Sequence, residues 1–206
     1  MDAPFQFVKD EFTDPDLNAK IIIIGDTGVG KSCLVHRATK NEFKETYDIT
    51  IGAEFYSYNA IIGSTKVKLQ IWDTAGQESF KSMIRVFYKG AQYALLAFDI
   101  TRPETLEKAG DWLKEIRENA DPLIPIILVG THSDMVKKVE NDAVAGFMKK
   151  NDIKDYKETS ALNGNGVVDV FKSICVYLYG KNSERPVSSG GGKLDAKKTA
   201  KKKCCK

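Results

Sequence analysis

The sequence predicts an α/β fold of the P-loop type: six strands in a mostly parallel sheet, covered by helices on both faces. Three observations predict it. From Lys20 onward, short apolar runs alternate with longer amphipathic stretches, and such alternation forces crossover connections between parallel strands. The glycine-rich stretch "GDTGVGKS" (25–32) sits between the first apolar run and the first amphipathic one. The runs at 53–60 and 66–73 flank "IIGSTK", which reads as a hairpin and so as one antiparallel pair.

Taken in order, residues 1–18 read as a loose acidic leader. Strands follow at "KIIIIG" (20–25), "AEFYSYNA" (53–60), "KVKLQIWD" (66–73), "YALLAFDI" (93–100), "IPIILVG" (124–130) and "YKETSA" (156–161). Helices are expected at 31–39, 103–119, 140–150 and 166–180, with Pro103 suited to a helix's first turn. After Gly180 the composition turns to Ser, Gly and Lys, that of a flexible linker. The chain therefore divides into a leader (1–18), one domain (19–180) and a tail (181–206), with no internal repeat.

At 42% apolar and 29% charged residues, the chain can bury a real core. "IIII" (21–24) and "YALLAF" (93–98) are far too short to cross a bilayer. The acidic N-terminus lacks the basic start and apolar stretch of a signal peptide. Four cysteines, two of them terminal, give no disulfide framework and fit a reducing cytosol. Net charge is +3, but residues 193–206 hold seven lysines and one aspartate, so the rest of the chain is net negative. Basicity confined to a tail beside cysteines suits an anionic membrane surface rather than nucleic acid.

"GDTGVGKS" fits G-x-x-x-x-G-K-[ST] in the strand–turn–helix context that the motif requires. Backbone from Thr27 through Gly28, Val29 and Gly30 to Cys33 would form the phosphate nest. Lys31 would reach the β- and γ-phosphates, and the Ser32 hydroxyl would ligate Mg2+. In "WDTAGQE" (72–78), Asp73 can hold Mg2+ through a water, and Gly76 lets a backbone N–H approach a γ-phosphate. Gln77 can orient an attacking water by donating and accepting at once. Thr50, between helix and strand, offers a further Mg2+ ligand once a γ-phosphate draws its loop in.

"ILVGTHSD" (127–134) and "ETSAL" (158–162) lie at strand ends, where open α/β sheets bind ligands. The Asp134 carboxylate can accept from the N1–H and 2-amino hydrogens of guanine, whereas adenine would leave it unpaired. Backbone at Ser160–Ala161 can meet the guanine carbonyl.

With these motifs in order, the chain resembles a small GTPase of the Ras superfamily, and within it a Rab. "IGAEF" (51–55), "KLQIW" (68–72), "SFKSM" (79–83), "FYKGA" (87–91) and "LAFDIT" (96–101) resemble Rab-specific segments. The resemblance spans roughly residues 19–180 and implies strand order 2-3-1-4-5-6 with one antiparallel edge strand. It also implies that Phe43 packs against guanine, Tyr47 lies over the phosphates, and residues 74–88 form switch II. By the same resemblance, Phe55, Trp72 and Phe87 form the surface aromatic trio that effectors read; without it they would read as core aromatics.

Two departures stand out. Where the family has Asn-Lys-x-Asp, this chain has Thr131-His132-Ser133-Asp134, and Leu162 replaces the lysine that usually follows Ser-Ala. Cys204 and Cys205 resemble the geranylgeranylated pair of Rab proteins, although Lys206 follows them. Lipid and lysines would act as one anchor, on a linker spanning about 26 Å as a flexible coil.

The sequence thus predicts a GTP-hydrolysing switch in vesicle-mediated membrane traffic, cycling GTP and GDP with Mg2+. Its expected partners are effectors, an exchange factor, a GTPase-activating protein, a prenylation escort and a GDP-dissociation inhibitor. Its expected place is the cytoplasmic face of an intracellular membrane, with a cytosolic pool. No arginine lies in 41–50 to complete the catalytic charge in cis, so the unaided rate should be slow. A nucleotide-loaded scaffold with negligible turnover is the alternative, and Gln77 argues against it.

Overall fold

The isoleucine run occupies the middle of the sheet. The computed structural model describes residues 3–44 and 49–183. Seven strands form one sheet: β1 (Phe5–Val8), β2 (Leu17–Gly25), β3 (Ala53–Ile62), β4 (Thr65–Thr74), β5 (Tyr93–Asp99), β6 (Ile126–Thr131) and β7 (Asp155–Glu158). Their order is β1-β3-β4-β2-β5-β6-β7. β2 pairs parallel with β4 and β5, and β6 and β7 continue the parallel run. β3 is antiparallel to β4, and β1 to β3.

Side chains alternate across a strand, and β2 uses both faces. Ile21 and Ile23 join the core that contains Leu34, Phe171 and Ile174. Ile22 and Ile24 join the core that contains Ile84, Trp112 and Leu113. The first core packs α1 (Lys31–Lys40) and α5 (Val167–Ser183) on one face; the second packs α2 (Lys81–Tyr88), α3 (Pro103–Asn119) and α4 (Asn141–Asn151) on the other. None of the described helices is long and apolar enough to cross a membrane.

The fold class and the order of the six expected strands hold, with three corrections. Among the described residues there are seven strands, because the leader is not loose. Phe5 and Phe7 alternate with Gln6 and pack on the first core, the Phe7 ring 4.9 Å from that of Tyr58. The acidic residues that made the segment read as solvated tie it to β4: Glu11 pairs with Lys68, and Asp16 accepts the Lys66 N–H at 2.7 Å. The second correction is α2, preceded by a 3-10 turn at Glu78–Phe80, where no helix was expected. It buries only Ile84 and Tyr88, too short a stripe to register as periodicity. Third, α5 continues to Ser183, with Lys181 Nζ 5.2 Å from the centre of the Tyr177 ring.

Candidate nucleotide site

The strand ends of β2, β4 and β6 open on two adjoining cavities. The first, about 160 Å3, lies over the loop from β2 to α1 and is lined by Thr27, Gly28, Lys31, Ser32 and Thr50, with Gly76 closing one side. Gly30 caps α1 at φ 83°, a left-handed conformation open to glycine. Lys31 folds back over the loop, its Nζ donating to the carbonyls of Gly25 at 2.9 Å and Asp26 at 2.8 Å. Burial pulls its ammonium down to about 8, against the opposing pull of Asp73 and Asp26. Gly76 comes so close that a β-carbon there would lie 2.5 Å from both the Asp26 carbonyl oxygen and Lys31 Nζ. Val29 is fully buried and does not line the cavity.

The hydroxyls of Ser32 and Thr50 meet at 3.0 Å. Asp73, at the end of β4, is fully buried, and among the described residues neither carboxylate oxygen has a hydrogen-bond partner. Burial pushes its carboxyl up to about 6; the nearby Ser32 hydroxyl and Lys31 draw it down only in part. An unsatisfied buried carboxylate is costly, and a hard divalent cation with oxygen ligands would satisfy it. Among the described residues no three His, Cys, Asp or Glu side chains cluster as a metal site. The donor set is therefore one carboxylate and two hydroxyls, the sparse kind that Mg2+ completes with phosphate oxygens. Gln77 is half-buried just beyond Gly76, its side-chain oxygen 3.4 Å from the Ser79 hydroxyl.

The second cavity, about 330 Å3, shares Gly30 and Cys33 with the first. Phe43, Thr131, His132, Asp134, Ala161 and Leu162 complete much of its wall. Ser160 is buried: its N–H donates to the Asn165 carbonyl at 2.9 Å, whereas Ala161 is half-buried and lines the cavity. Sequence reasoning missed what holds these loops. Arg37 of α1 donates from Nε to the Ala161 carbonyl (2.6 Å) and from Nη2 to the Leu162 carbonyl (2.7 Å). His132 has φ 61°, and its ring leans toward Gly30 with Nδ1 turned to Thr131 and Asp99. Arg37 lies 124 and 125 positions from the Ala161 and Leu162 carbonyls, so no local pattern reveals its contacts.

The aromatic trio is assembled beside the site. Trp72 lies 5.4 Å from Phe55 and 4.9 Å from Phe87, between ring centroids, with Lys20 Nζ 5.4 Å from the Trp72 ring. Ile51, Met83 and Val86 are also exposed. Tyr47, Cys204 and Cys205 lie outside the described residues.

A phosphate loop on an open parallel sheet, with a base-sized cavity beside it, is the build of a P-loop nucleotide-binding protein. The sequence model of the Ras family matches residues 20–179. The GTP-binding protein ypt3 of Schizosaccharomyces pombe is 39% identical over 173 residues, 83% of this chain and 80% of that protein. The Ras-related protein Rab11E of Lotus japonicus is 41% identical over 173 residues (83% and 79%), and RABA1a of Arabidopsis thaliana 39% over 178 (85% and 82%). This chain belongs to the Rab family of small GTPases. It binds GTP and GDP with Mg2+, hydrolyses GTP, and works as a Rab-type switch in vesicle traffic. Effectors, exchange factors, activating proteins and dissociation inhibitors are the partners of that family, which acts on intracellular membranes.

Proposed function

We propose that the two cavities are one guanine-nucleotide site and that the residues around them divide the work of the switch. The meeting of the Ser32 and Thr50 hydroxyls at 3.0 Å, beside the unpartnered Asp73 carboxylate, carries the reading. Ser32 and Thr50 would hold Mg2+ directly and Asp73 through a water. The ion supplies positive charge to the β- and γ-phosphate oxygens when bound. Lys31 exchanges the Gly25 and Asp26 carbonyls for phosphate oxygens, and the loop amides from Thr27 to Cys33 take the remaining negative charge. Gln77 orients the attacking water. Thr50 belongs to a loop held by the γ-phosphate end of the substrate; hydrolysis removes that hold and releases the effector surface around Phe55, Trp72 and Phe87. With the Ser160 N–H occupied, Ala161 meets the guanine carbonyl while Asp134 reads the base edge. Phe43, His132 and Leu162 pack around it.

The tail extends this reading. Cys204 and Cys205 are the lipidation sites, delivered through a prenylation escort, and the lysines add about 1 kcal/mol each at an anionic leaflet. The chain then works at the cytoplasmic face of an intracellular membrane and exchanges with a cytosolic pool.

Nucleotide extracted from purified protein should be GDP or GTP. In single-turnover hydrolysis with an activating protein, Gln77→Leu should lose at least about tenfold in rate while retaining nucleotide as the parent does. An unchanged rate would remove Gln77 from the mechanism; adenine nucleotide in the extract would remove Asp134.

A further inference from the structure

Asp99, the last residue of β5, is 4% exposed and collects contacts from three directions. Its Oδ1 accepts the Thr101 N–H at 2.8 Å and hydroxyl at 2.7 Å. Its Oδ2 accepts Arg102 Nε at 2.9 Å, with His132 Nδ1 at 3.3 Å. Burial opposes its ionisation, but Thr101, Arg102 and His132 together outweigh burial and keep it an anion.

Two of the groups on Asp99, Arg102 and His132, also grip the phosphate loop, together with Thr131. Arg102 Nη2 donates to the Gly28 carbonyl at 2.8 Å. The Thr131 hydroxyl lies 2.7 Å from the Val29 carbonyl oxygen. The His132 ring covers Gly30, where a β-carbon would lie 3.4 Å from Cε1. Three successive loop residues are thus held by three side chains, none of them in the loop.

A trans peptide is planar and points its N–H opposite to its carbonyl. Fixing the Gly28 carbonyl on Arg102 therefore turns the Val29 N–H away from Arg102. Arg102 is absent from the wall of the phosphate cavity, whereas Gly28 and Gly30 line it. Arg102 also brings a permanent charge.

We infer that Arg102 is a positioning residue for nucleotide retention. Anchored on Asp99, it holds the Gly28 carbonyl outward, presets the Val29 N–H for a phosphate oxygen, and acts jointly with His132 through their shared carboxylate. The inference rests on the nucleotide-site reading above. It deepens that reading by naming a residue outside the motif as part of the phosphate grip.

Displacement of a fluorescent GDP analogue from the full chain tests it. Arg102→Ala should release GDP about tenfold faster, with association little changed. Arg102→Lys keeps the charge but cannot donate to Asp99 and Gly28 as a fork, so release should stay at least about threefold fast. Full restoration by lysine would overturn the inference. Arg102→Ala combined with His132→Ala should accelerate release by less than the product of the single effects, since both act through Asp99; a full product would overturn the joint action. Affinity for a fluorescent GMP analogue, which lacks the β-phosphate, should change less than about threefold in Arg102→Ala. Equal losses for GDP and GMP would make Arg102 a general scaffold residue and overturn the inference. A parental release rate in Arg102→Ala refutes it alone, whereas a parent that holds no guanine nucleotide refutes the site reading beneath it.

Discussion

Asp73→Asn should stabilise the nucleotide-free protein while damaging its function. The carboxylate is fully buried with both oxygens unpartnered among the described residues, and burial moves it from 3.8 to about 6. At 1.36 kcal/mol per pH unit that displacement is about 3 kcal/mol against the ionised form. The raised value gives the sign. Between about pH 4 and 6 the folded chain holds a proton that the unfolded chain has lost, so stability falls as pH rises through that window and levels off above it. Asparagine carries no charge but still buries an amide, so about 2 kcal/mol should be recovered at pH 7.5. For a chain of this size that is about 4–8 °C in Tm. Thermal melts of chelator-stripped protein at pH 7.5 and pH 5 should show the variant above the parent, with the gap narrowing at the lower pH. Addition of Mg2+ and GDP should then raise the parent's Tm by more than the variant's. A stripped variant that melts below the parent at pH 7.5 would refute the strained carboxylate; an equal gain from Mg2+ and GDP would refute its part in holding the ion.

Further predictions follow from other parts of the fold. His132→Lys places a longer, charged donor over the phosphate loop, and stopped-flow displacement of a fluorescent GDP analogue should find release slowed up to about tenfold; an unchanged or faster rate counts against a ring that packs on the loop. Replacing Cys204 and Cys205 with serine should move the protein into the soluble fraction after cell fractionation, and continued pelleting with membranes would end the lipid-anchor proposal. Phe7→Ala removes an aromatic that seals one edge of the core, and should lower stability by about 2 kcal/mol in denaturant melts without altering GDP release. A melt matching the parent's would mean that β1 contributes nothing to stability.

What could be read in the chain was whatever local pattern dictates. The predicted helix at 103–119 coincides with α3 because Pro103 marks its start and an apolar stripe runs its whole length. The phosphate loop was legible because its glycines and Lys31 do chemistry with their own backbone. The expected strand at 156–161 stops at Glu158, since the chain turns there and the Ser160 carbonyl accepts the Gly164 N–H. β1 was hidden by acidic neighbours whose partners, Lys66 and Lys68, lie 50 or more positions away. Arg37 and Arg102 were invisible for the same reason. Arg37 meets Ala161 across 124 positions and Arg102 meets Gly28 across 74, so no window of sequence contains both ends of either bond.

One of those bonds has a mechanical consequence. Lys31 begins α1 beside the proposed phosphate cavity, and Arg37, six residues along the same helix, grips the Ala161 and Leu162 backbone at the second cavity. Six residues of helix are a stiff strut about 9 Å long. In the proposed site the two ends of the nucleotide would therefore be fastened to a single rigid bar rather than to two independent jaws. A partner protein that tilts this bar by prying at either end slackens the hold at the other, and exchange becomes an all-or-none event. Dissociation of GDP under such leverage should trace a single exponential, with no lag in which the base has left and the phosphates stay behind.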